Sequence, residues 1–520
     1  MPFSGPALEH PIHLPTLLRR VVEASPDKPA LISLEARWTW RDLDQVTDRL
    51  AANLLSLGLQ SGDRVASLMP NRTALVLHYL ACLKAGLVAT PLNYRYVPPE
   101  IDHALEVSGA SLLLAHAERD DDIAASKLAG KLPLGVISYG AKDERSSSFE
   151  TLCDRQPGNL ELPSPAPDDP AFIFFTSGST GLPKGVTHSF ASFGWMVASA
   201  IQGLELTPQD IMLPGSSLSH IGGSLSSLAA LAAGARVIVA RTFDACELLP
   251  LLRDERPTIL VMLPAALFSL VCDHGAARKD FASLKLCLSG GDKVAARLEQ
   301  EFADLTGLCI DESYGMTEIG FAAVNPPLGV NKPGSVGCPF PGFSMSIRDE
   351  GGVEVAQSQQ GRLWVKSPSN MVEYWNAPEA TKVTLQDGWL DTGDVMRVDA
   401  EGYLWFCGRK KQIIVHDASN VSPQEVEEAL LEHAAVESAG VVGVHDLVHG
   451  ENVRAYITLR EGAKRPTSQE LIRFAHQRIG YKAPEEIVVL PEMPLNATGK
   501  VDRVRLKKMA EEHDHELILR

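Results

Sequence analysis

The sequence has few cations for its size. Of 520 residues, 48 are lysine or arginine and 65 are aspartate or glutamate, so the formal net charge is −17. A function in binding nucleic acid or an anionic membrane is therefore disfavoured, because both depend on clustered cations. An anionic nucleotide would need a local basic site or Mg²⁺.

The sequence also lacks paired cysteines and long apolar runs. Its eight cysteines are scattered, with no C-x-x-C pair, so metal-ligand spacing is missing and core thiols in a reducing compartment are favoured. No stretch is long and apolar enough to span a bilayer, and the first residues show no basic segment followed by an apolar one. We expect a cytoplasmic protein without a signal peptide or transmembrane segment.

What is present indicates a globular α/β protein. A chain of 520 residues with 45% hydrophobic and 22% charged residues can bury a large core and should form more than one domain. Periodicity predicts a helix over residues 38–59, a strand over 62–68, a second helix over 71–86 and a second strand over 88–92. This alternation is typical of a parallel sheet covered by helices.

The most informative stretch is T-S-G-S-T-G-L-P-K-G, residues 176–185, which follows an apolar run over 171–175. The run predicts a buried strand. The glycines let several N–H groups converge on one anion, and Lys184 adds positive charge, so we predict a phosphate-binding loop. A flexible surface loop is the alternative. A Walker A loop is excluded, because Pro183 occupies its second glycine position and Gly185 follows the lysine.

Five further polar segments follow along the chain. They are S-G-G-D (289–292), S-Y-G-M-T-E (313–318), D-T-G-D (391–394), G-R-K-K (408–411) and T-G-K (498–500). Strand-to-turn glycines, turn-capping acids and a solvated basic turn are structural alternatives for the first, third and fourth. The second combines an aromatic ring, a hydroxyl and Glu318, a carboxylate of the kind that Mg²⁺ prefers, which a plain turn would hardly need.

In this order, the phosphate loop and the five segments resemble those of the adenylate-forming superfamily of acyl-CoA synthetases, aryl-acid ligases, luciferases and adenylation domains. The resemblance extends from near Ala30 to near Lys508. It implies an α/β fold with a large N-terminal domain, residues 1–408, of parallel and mixed sheets with flanking helices and a β-subdomain. A small mobile C-terminal α+β domain, residues 409–520, would follow.

The resemblance also implies the residues that bind ATP. They are Thr176, Ser177, Gly178, Ser179, Thr180, Gly181, Lys184, Gly291, Asp292, Ser313, Tyr314, Gly315, Asp394 and Arg409. Tyr314 would stack on adenine, whereas Asp394 and Arg409 would reach the ribose. Thr317, Glu318 and Lys500 would be catalytic, with Glu318 as the ligand of Mg²⁺. Lys411 would be the hinge.

The predicted acid pocket comprises His220, Ile221, Gly222 and Met316. By its place His220 resembles the residue that lies beside the acyl pocket in the superfamily, although a histidine satisfied in the core is the alternative. Amino-acid-activating relatives usually carry Phe-Asp here, and this chain has Ser219-His220. A substrate with an α-amino group is thereby disfavoured.

The resemblance predicts an acid–CoA ligase. It would join a fatty or aromatic acid to ATP as an acyl-adenylate, release pyrophosphate, and transfer the acyl group to CoA. Because the carboxylate and the α-phosphate are both anions, Mg²⁺, the phosphate loop and Lys500 would supply the positive field. Two alternatives stay open: loading of a carrier protein, and a nucleotide sensor without turnover. The carrier-protein alternative stays open because Asp417 and Ala418 replace a usual glycine pair, and their side chains would narrow the passage for the pantetheine arm.

In the small domain, S-P-Q-E at residues 422–425 is typical of a capping box with proline at the first helical position. We predict a helix from there to about Ala434, with Val426, Leu430 and Ala434 along one face.

Overall fold

The computed structural model describes most of the chain. The described residues are 3–141, 148–158, 161–176, 183–291, 294, 296–325, 329–409, 412, 414–416, 419–446, 450–496 and 499–518. Several residues named above lie outside them: Ser177, Gly178, Ser179, Thr180, Gly181, Asp292, Lys411, Asp417 and Ala418.

Strands and helices alternate along much of the chain. The strands are β1 (Phe3–Ser4), β2 (Pro29–Ile32), β3 (Arg37–Thr39), β4 (Arg64–Leu68), β5 (Val88–Pro91), β6 (Leu112–His116), β7 (Val136–Tyr139), β8 (Pro170–Thr176), β9 (Lys184–Ser189), β10 (Ile211–Gly215), β11 (Arg236–Ile238), β12 (Ile259–Met262), β13 (Leu286–Gly290), β14 (Asp311–Met316), β15 (Gly320–Val324), β16 (Cys338–Pro339), β17 (Ser344–Arg348), β18 (Gly361–Lys366), β19 (Glu373–Tyr374), β20 (Leu385–Gln386), β21 (Trp389–Val398), β22 (Leu404–Arg409), β23 (Ile414–His416), β24 (Ser419–Val421), β25 (Val436–Asp446), β26 (Gly450–Leu459) and β27 (Glu486–Val489). The α-helices are α1 (Arg19–Ala24), α2 (Trp40–Ser56), α3 (Thr73–Ala85), α4 (Pro98–Ser108), α5 (Asp120–Ala125), α6 (Phe149–Asp154), α7 (Phe190–Gly203), α8 (Ile221–Ala233), α9 (Ala245–Glu255), α10 (Pro264–Phe268), α11 (Ala296–Thr306), α12 (Pro378–Thr384), α13 (Pro423–Leu431), α14 (Ser468–Ile479) and α15 (Arg503–Ile518).

The chain forms two compact units. The first contains Met1–Ser346, Trp364–Asp391 and Gly402–Leu404, and the second contains Ile347–Leu363, Thr392–Glu401 and Trp405–Arg520. The predicted α/β class, with a large N-terminal and a small C-terminal domain, is confirmed. The boundary between residues 408 and 409 and the mobility of the small domain stay predictions. No described helix is long and apolar enough to cross a membrane.

The first unit contains a seven-stranded sheet with the order β19-β9-β8-β5-β4-β6-β7. Its strands β8, β5, β4, β6 and β7 run parallel to one another, while at one side β9 pairs antiparallel with β8 and β19 pairs antiparallel with β9. The parallel strands are almost continuously apolar, as strands covered on both faces must be. The strand predicted before the phosphate loop is observed as β8, whose residues from Ala171 to Phe175 are buried.

A nine-stranded sheet in the same unit aligns several of the predicted segments. Its order is β16-β15-β14-β13-β12-β10-β11-β2-β3, and β11, β10, β12, β13 and β14 run parallel to one another. At their carboxyl ends Gly215 lies opposite Met262, Met262 opposite Ser289, and Gly290 opposite Ser313. Ligands of open α/β sheets bind at such carboxyl ends. The S-G-G and S-Y-G-M-T-E segments are therefore neighbours at the edge where a ligand is expected.

Helix α3 is buried on every side, in contrast to a surface helix. All its residues from Thr73 to Ala85 are buried, and Gly86 ends it in the left-handed conformation with φ of +66°. The helix includes His78, for which burial lowers the pKa from 6.5 to about 3. A neutral imidazole is thus built into the core of the first unit.

We expect His78→Leu to flatten the acid side of the stability profile. Unfolded His78 binds a proton below about pH 6.5 and the folded protein does not until about pH 3, so stability is complete above pH 6.5 and is lost as pH falls. Between pH 8 and pH 5 this one group should cost about 2 kcal/mol. Urea unfolding at both pH values measures the difference. Cys287→Ala, a buried change on β13 in the same unit, should keep the wild-type pH dependence, and an H78L profile as steep as wild type would contradict the assignment.

The second unit contains a small sheet with helices packed on it. Strands β24, β23, β26 and β25 are antiparallel neighbours, and β27 adds to β26 in parallel. Helix α13 begins at Pro423, as predicted, and Val426 and Leu430 are fully buried in the core. The helices thus bury an apolar face against the sheet, as predicted for an α+β domain.

The predicted capping box of α13 is wrong. The Ser422 side chain accepts no hydrogen bond from a backbone amide at the helix start, and its hydroxyl instead donates to the side-chain Oε1 of Gln424 at 3.1 Å. Glu425 is engaged elsewhere, since Lys482 Nζ lies 2.6 and 2.8 Å from its two carboxylate oxygens. The helix ends at Leu431, three residues earlier than predicted.

Candidate active site

The predicted phosphate loop connects the two strands of a hairpin. Strands β8 and β9 are antiparallel, and their last pair is Thr176 opposite Lys184. The carbonyl of Pro183, just before β9, accepts a hydrogen bond of 2.8 Å from His103 Nε2 on α4. Lys184 Nζ lies 4.9 Å from the centre of the Tyr374 ring, a cation–π distance. Both ends of the loop are therefore held by regular structure.

The glycines of S-G-G and S-Y-G-M-T-E allow strands to approach closely. A Cβ on Gly290 would lie 2.3 Å from Ser313 Oγ, and one on Gly315 would lie 2.2 Å from the carbonyl oxygen of Gly320. Gly291 has φ of +82°, which favours glycine. Tyr314, which directly precedes Gly315, is 7% exposed. Any larger residue at Gly290 or Gly315 would separate the strands that carry the predicted adenine site.

The Thr317–Glu318 turn is held by hydrogen bonds from β9 and from the segment around β19. His188 Nε2 donates to the carbonyl of Thr317 at 2.8 Å, and the amide of Met371 donates to the carbonyl of Glu318 at 2.7 Å. The hydroxyl of Tyr374 donates to Glu318 Oε1 at 2.7 Å. Three donors therefore fix the backbone and the carboxylate of this turn.

Burial sets the protonation states of two of these donors. It lowers the pKa of His188 from 6.5 to about 4, so the imidazole is neutral and its Nε2–H is available to Thr317. Burial, together with the Glu318 carboxylate, raises the pKa of Tyr374 well above its ordinary value. The Tyr374 hydroxyl therefore keeps its proton and donates a hydrogen bond to Glu318.

The donor set around Glu318 fits a metal ion that is shared with a nucleotide. The carboxylate is 6% exposed, and the described residues contain no group of three or more side chains able to cage a metal. Mg²⁺ usually takes one or two carboxylates and completes its shell with substrate phosphates and water. A single oriented carboxylate therefore suits Mg²⁺ bound with ATP and does not suit an all-protein site.

The predicted acid pocket lies at the start of α8. His220 is the residue just before the helix, and its Nε2 accepts a hydrogen bond of 3.3 Å from Asn93 Nδ2. A Cβ on Gly222 would meet no described atom within 4 Å, whereas one on Gly223 would lie 2.4 Å from the carbonyl oxygen of Ser217. Space thus opens beside the first turn of α8 at Gly222. Ile221 is half-buried in the same turn.

Strand β14 carries one predicted acid-pocket residue, Met316, and a predicted ATP-binding residue, Ser313. Met316 is its last residue and pairs with Gly320 of β15, and Ser313 Oγ donates to the carbonyl of Ser289 at 3.2 Å. Both are half-buried. In the first unit, β14 thus carries Ser313, Tyr314, Gly315 and Met316 in an unbroken run.

In the second unit, Asp394 and Arg409 form an ion pair with each other. Arg409 Nε donates to Asp394 Oδ1 at 2.8 Å, and the Asp394 carboxylate is fully buried while the Arg409 side chain is 45% exposed. The amide of Asp394 also donates to Thr392 Oγ1 at 3.1 Å. The two predicted ribose ligands are therefore adjacent. Lys500, in the same unit, is half-buried on a tight turn.

The sequence profile of a known family covers most of this structure. The profile described as AMP-binding enzyme matches residues 18–375, and that of the AMP-binding enzyme C-terminal domain matches residues 425–500. The chain belongs to the AMP-binding enzyme family.

Known proteins resemble this AMP-binding enzyme over nearly its whole length. A fatty acid–[acyl-carrier-protein] ligase, ScoC, of Streptomyces coeruleorubidus is 31% identical over 96% of this chain and 97% of its own. A long-chain-fatty-acid–CoA ligase of Bacillus subtilis strain 168 is 32% identical over 94% and 93%. The crystal structure of the anthranilate CoA ligase AuaEII in complex with anthranoyl-AMP superposes with a TM-score of 0.90, at 26% identity, over 98% of this chain and 99% of that one.

Sequence patterns missed three residues of the candidate site in this AMP-binding enzyme. Tyr374, His188 and Asn93 contact Glu318, Thr317 and His220 across 56, 129 and 127 positions of the chain, respectively. None belongs to a polar, glycine-rich segment like those that drew attention.

Proposed function

We propose that this AMP-binding enzyme is an acid–thiol ligase. It joins a carboxylic acid to ATP as an acyl-adenylate with release of pyrophosphate, and then transfers the acyl group to the thiol of CoA. One observation carries the proposal: Tyr374 touches both the ammonium of Lys184 and the carboxylate of Glu318, at 4.9 Å from its ring centre and 2.7 Å from its hydroxyl. The cation of the phosphate hairpin and the candidate metal ligand thus share one side chain.

This arrangement suits an attack of one anion on another. Lys184 and the hydroxyl of Thr317 would bind the phosphates, and Lys500 would neutralise charge between the acid and the α-phosphate. Mg²⁺ bound through Glu318 would withdraw charge from the phosphate oxygens. The reaction needs little proton transfer, which agrees with the state of His188, whose imidazole is buried, neutral and committed to the backbone.

The acid is proposed to be fatty or aromatic. Relatives named as ligases of long-chain fatty acids and of anthranilate both align over nearly the whole chain, and the open space beside Gly222 accepts an elongated or a planar group. A carrier protein is a second candidate acceptor, because a relative at 31% identity is named as a ligase of fatty acid and acyl-carrier protein. A cytoplasmic location stays a prediction.

The test is exchange of labelled pyrophosphate into ATP in the presence of a panel of fatty and aromatic acids. We expect exchange that requires both the acid and Mg²⁺. Release of AMP on adding CoA, compared with release on adding a pantetheinylated carrier protein, then identifies the acceptor. If no acid in a broad panel supports exchange, although ATP binds, the ligase proposal is wrong and a nucleotide sensor is favoured.

We expect Tyr374→Phe to raise the Mg²⁺ concentration for half-maximal exchange about tenfold, as loss of a partner that orients a metal ligand commonly does. The phenyl ring should keep its place beside Lys184, whereas the hydrogen bond of the hydroxyl to Glu318 is removed. Titration of Mg²⁺ at saturating ATP and acid measures the effect, and calorimetry of Mg·ATP binding provides a second readout.

The matched control is Tyr403→Phe. Its hydroxyl donates to the carbonyl of Val330 at 2.6 Å, a part-buried hydrogen bond of the first unit that does not involve Glu318. Y403F should keep the wild-type Mg²⁺ dependence. An equal shift in both variants would indicate a general loss of stability and would remove Tyr374 from the site.

A further inference from the structure

The turn that carries Lys500 is fixed by its backbone. Asn496 N donates to the carbonyl of Lys500 at 2.7 Å, and Lys500 N donates to Asn496 Oδ1 at 3.1 Å. The amide of Gly499, whose φ is +80°, donates to the carbonyl of Asn496 at 2.9 Å. At the base of the turn Asp502 N donates to the carbonyl of Pro494 at 2.8 Å. The main chain of Lys500 therefore has a defined place relative to the start of α15.

The start of α15 is held in turn by a buried carboxylate. Arg503, the first residue of the helix, donates from Nη2 to both carboxylate oxygens of Glu427, at 2.8 and 2.6 Å. Glu427 lies on α13 and is 8% exposed. Its Oε1 also accepts a hydrogen bond of 2.7 Å from the amide of Val441 on β25. The Glu427 carboxylate thus connects α13 and β25 to the first residue of α15, which is three positions after Lys500 in the chain.

This ion pair is not expected to contribute much to the stability of the fold. Bringing two charges out of water costs several kcal/mol, and replacement of a buried pair by apolar residues of similar volume is often neutral for folding, so such a pair is weak evidence for stability. What it does provide is direction, because Arg503 Nη2 and the amide of Val441 both donate to the same carboxylate and so fix its orientation. The function of Glu427 is therefore expected to lie in the segment next to Arg503, which carries Lys500.

The rest of α15 is attached independently of Glu427. Leu506 and Ala510 are buried in an apolar cluster with strands β25 and β26. Arg454 donates from Nη1 to the carbonyl of Ala510 at 3.3 Å and pairs with Glu486 at 2.5 Å. Loss of the Glu427–Arg503 pair would leave the helix docked and would release only its first turn, next to Lys500.

We propose that Glu427, acting through Arg503, is a positioning residue for Lys500. This inference rests on the proposed function, in which Lys500 serves formation of the adenylate, and it adds that Lys500 takes no part in thioester formation. Misplacement of a charged group by about 1 Å can cost about 10²-fold in rate. Glu427 and Arg503 are therefore required in the first half-reaction and dispensable in the second.

The test is the double variant Glu427→Met, Arg503→Met, which exchanges the ion pair for apolar side chains of similar length. We expect acid-dependent pyrophosphate exchange to fall about 10- to 100-fold. Thioester formation from synthetic acyl-adenylate and the acceptor that the wild type uses should stay within about twofold, because the small domain remains folded. If the double variant does not fold, Glu427→Gln, whose amide oxygen can still accept from Val441, is assayed in the same way.

The matched control removes the ion pair between β26 and β27, with Arg454→Met and Glu486→Met. This variant should leave the ratio of the two half-reactions unchanged, because Arg454 contacts α15 at Ala510, about two turns beyond Arg503. Equal losses in both half-reactions of the Glu427 variant would show a merely structural role and overturn the inference, as would unchanged exchange. A wild-type protein without exchange for any acid overturns the proposed function itself, which is a different result.

Discussion

Lys500→Ala is expected to lower acid-dependent pyrophosphate exchange about 10²–10³-fold, the usual cost of losing one group that stabilises charge in a transition state. The side chain is carried on the turn between Asn496 and Asp502, whose backbone hydrogen bonds do not involve the lysine side chain. The substitution should therefore leave the fold of the second unit intact. Binding of ATP, measured by calorimetry, should change little, because the lysine is expected to act when the acid and the α-phosphate approach each other.

The same variant separates the two half-reactions. Thioester formation from synthetic acyl-adenylate should proceed at about the wild-type rate, because Lys500 is proposed to serve the first step alone. Lys508→Ala is the matched control: this lysine is on α15, its side chain is 75% exposed, and it pairs with Glu512 within the same helix at 3.9 Å. Exchange that survives in K500A at the level of K508A would refute the assignment of the lysine.

Local sequence patterns were sufficient to predict several of the strands and helices of the first unit. The apolar run before the phosphate loop is strand β8, and the helix predicted over residues 38–59 is α2, which starts after Thr39 and ends at Ser56. These predictions succeed because apolar periodicity and capping residues act within a few positions of the chain. The alternation of strands and helices likewise predicted the parallel sheets.

Contacts between distant segments could not be predicted in the same way. Tyr374 reaches Glu318 because β19 pairs with β9, and a two-residue strand leaves almost no periodic pattern in the sequence. The capping box of α13 failed for a related reason, since Glu425 is drawn to Lys482, 57 positions away. Tertiary partners override local preference in both cases.

Glu318→Gln is the second substitution with a large expected effect. The amide has nearly the same shape as the carboxylate and can still accept the hydrogen bond from Tyr374, so the turn should keep its structure. What is lost is the negative charge that a hard cation requires. We expect exchange to fall about 10²–10³-fold at the Mg²⁺ concentration that saturates the wild type, with weaker binding of Mg·ATP in calorimetry.

Glu373→Gln is the control for E318Q, because it neutralises a half-buried carboxylate next to Tyr374 on β19. It should retain wild-type exchange and Mg²⁺ dependence. E318Q with an unaltered Mg²⁺ titration would exclude Glu318 as the metal ligand.

Combining E318Q with Y374F tests whether Tyr374 acts through the carboxylate. If the hydroxyl serves only to orient Glu318, its removal should have little further effect once the charge is gone, and the two losses will not add. Full additivity would mean that Tyr374 acts on the nucleotide or on Lys184 independently of the carboxylate. The hydroxyl and the ring of Tyr374 would then have separate functions in the site, and the shared contact with Lys184 and Glu318 would no longer support a joint phosphate and metal site.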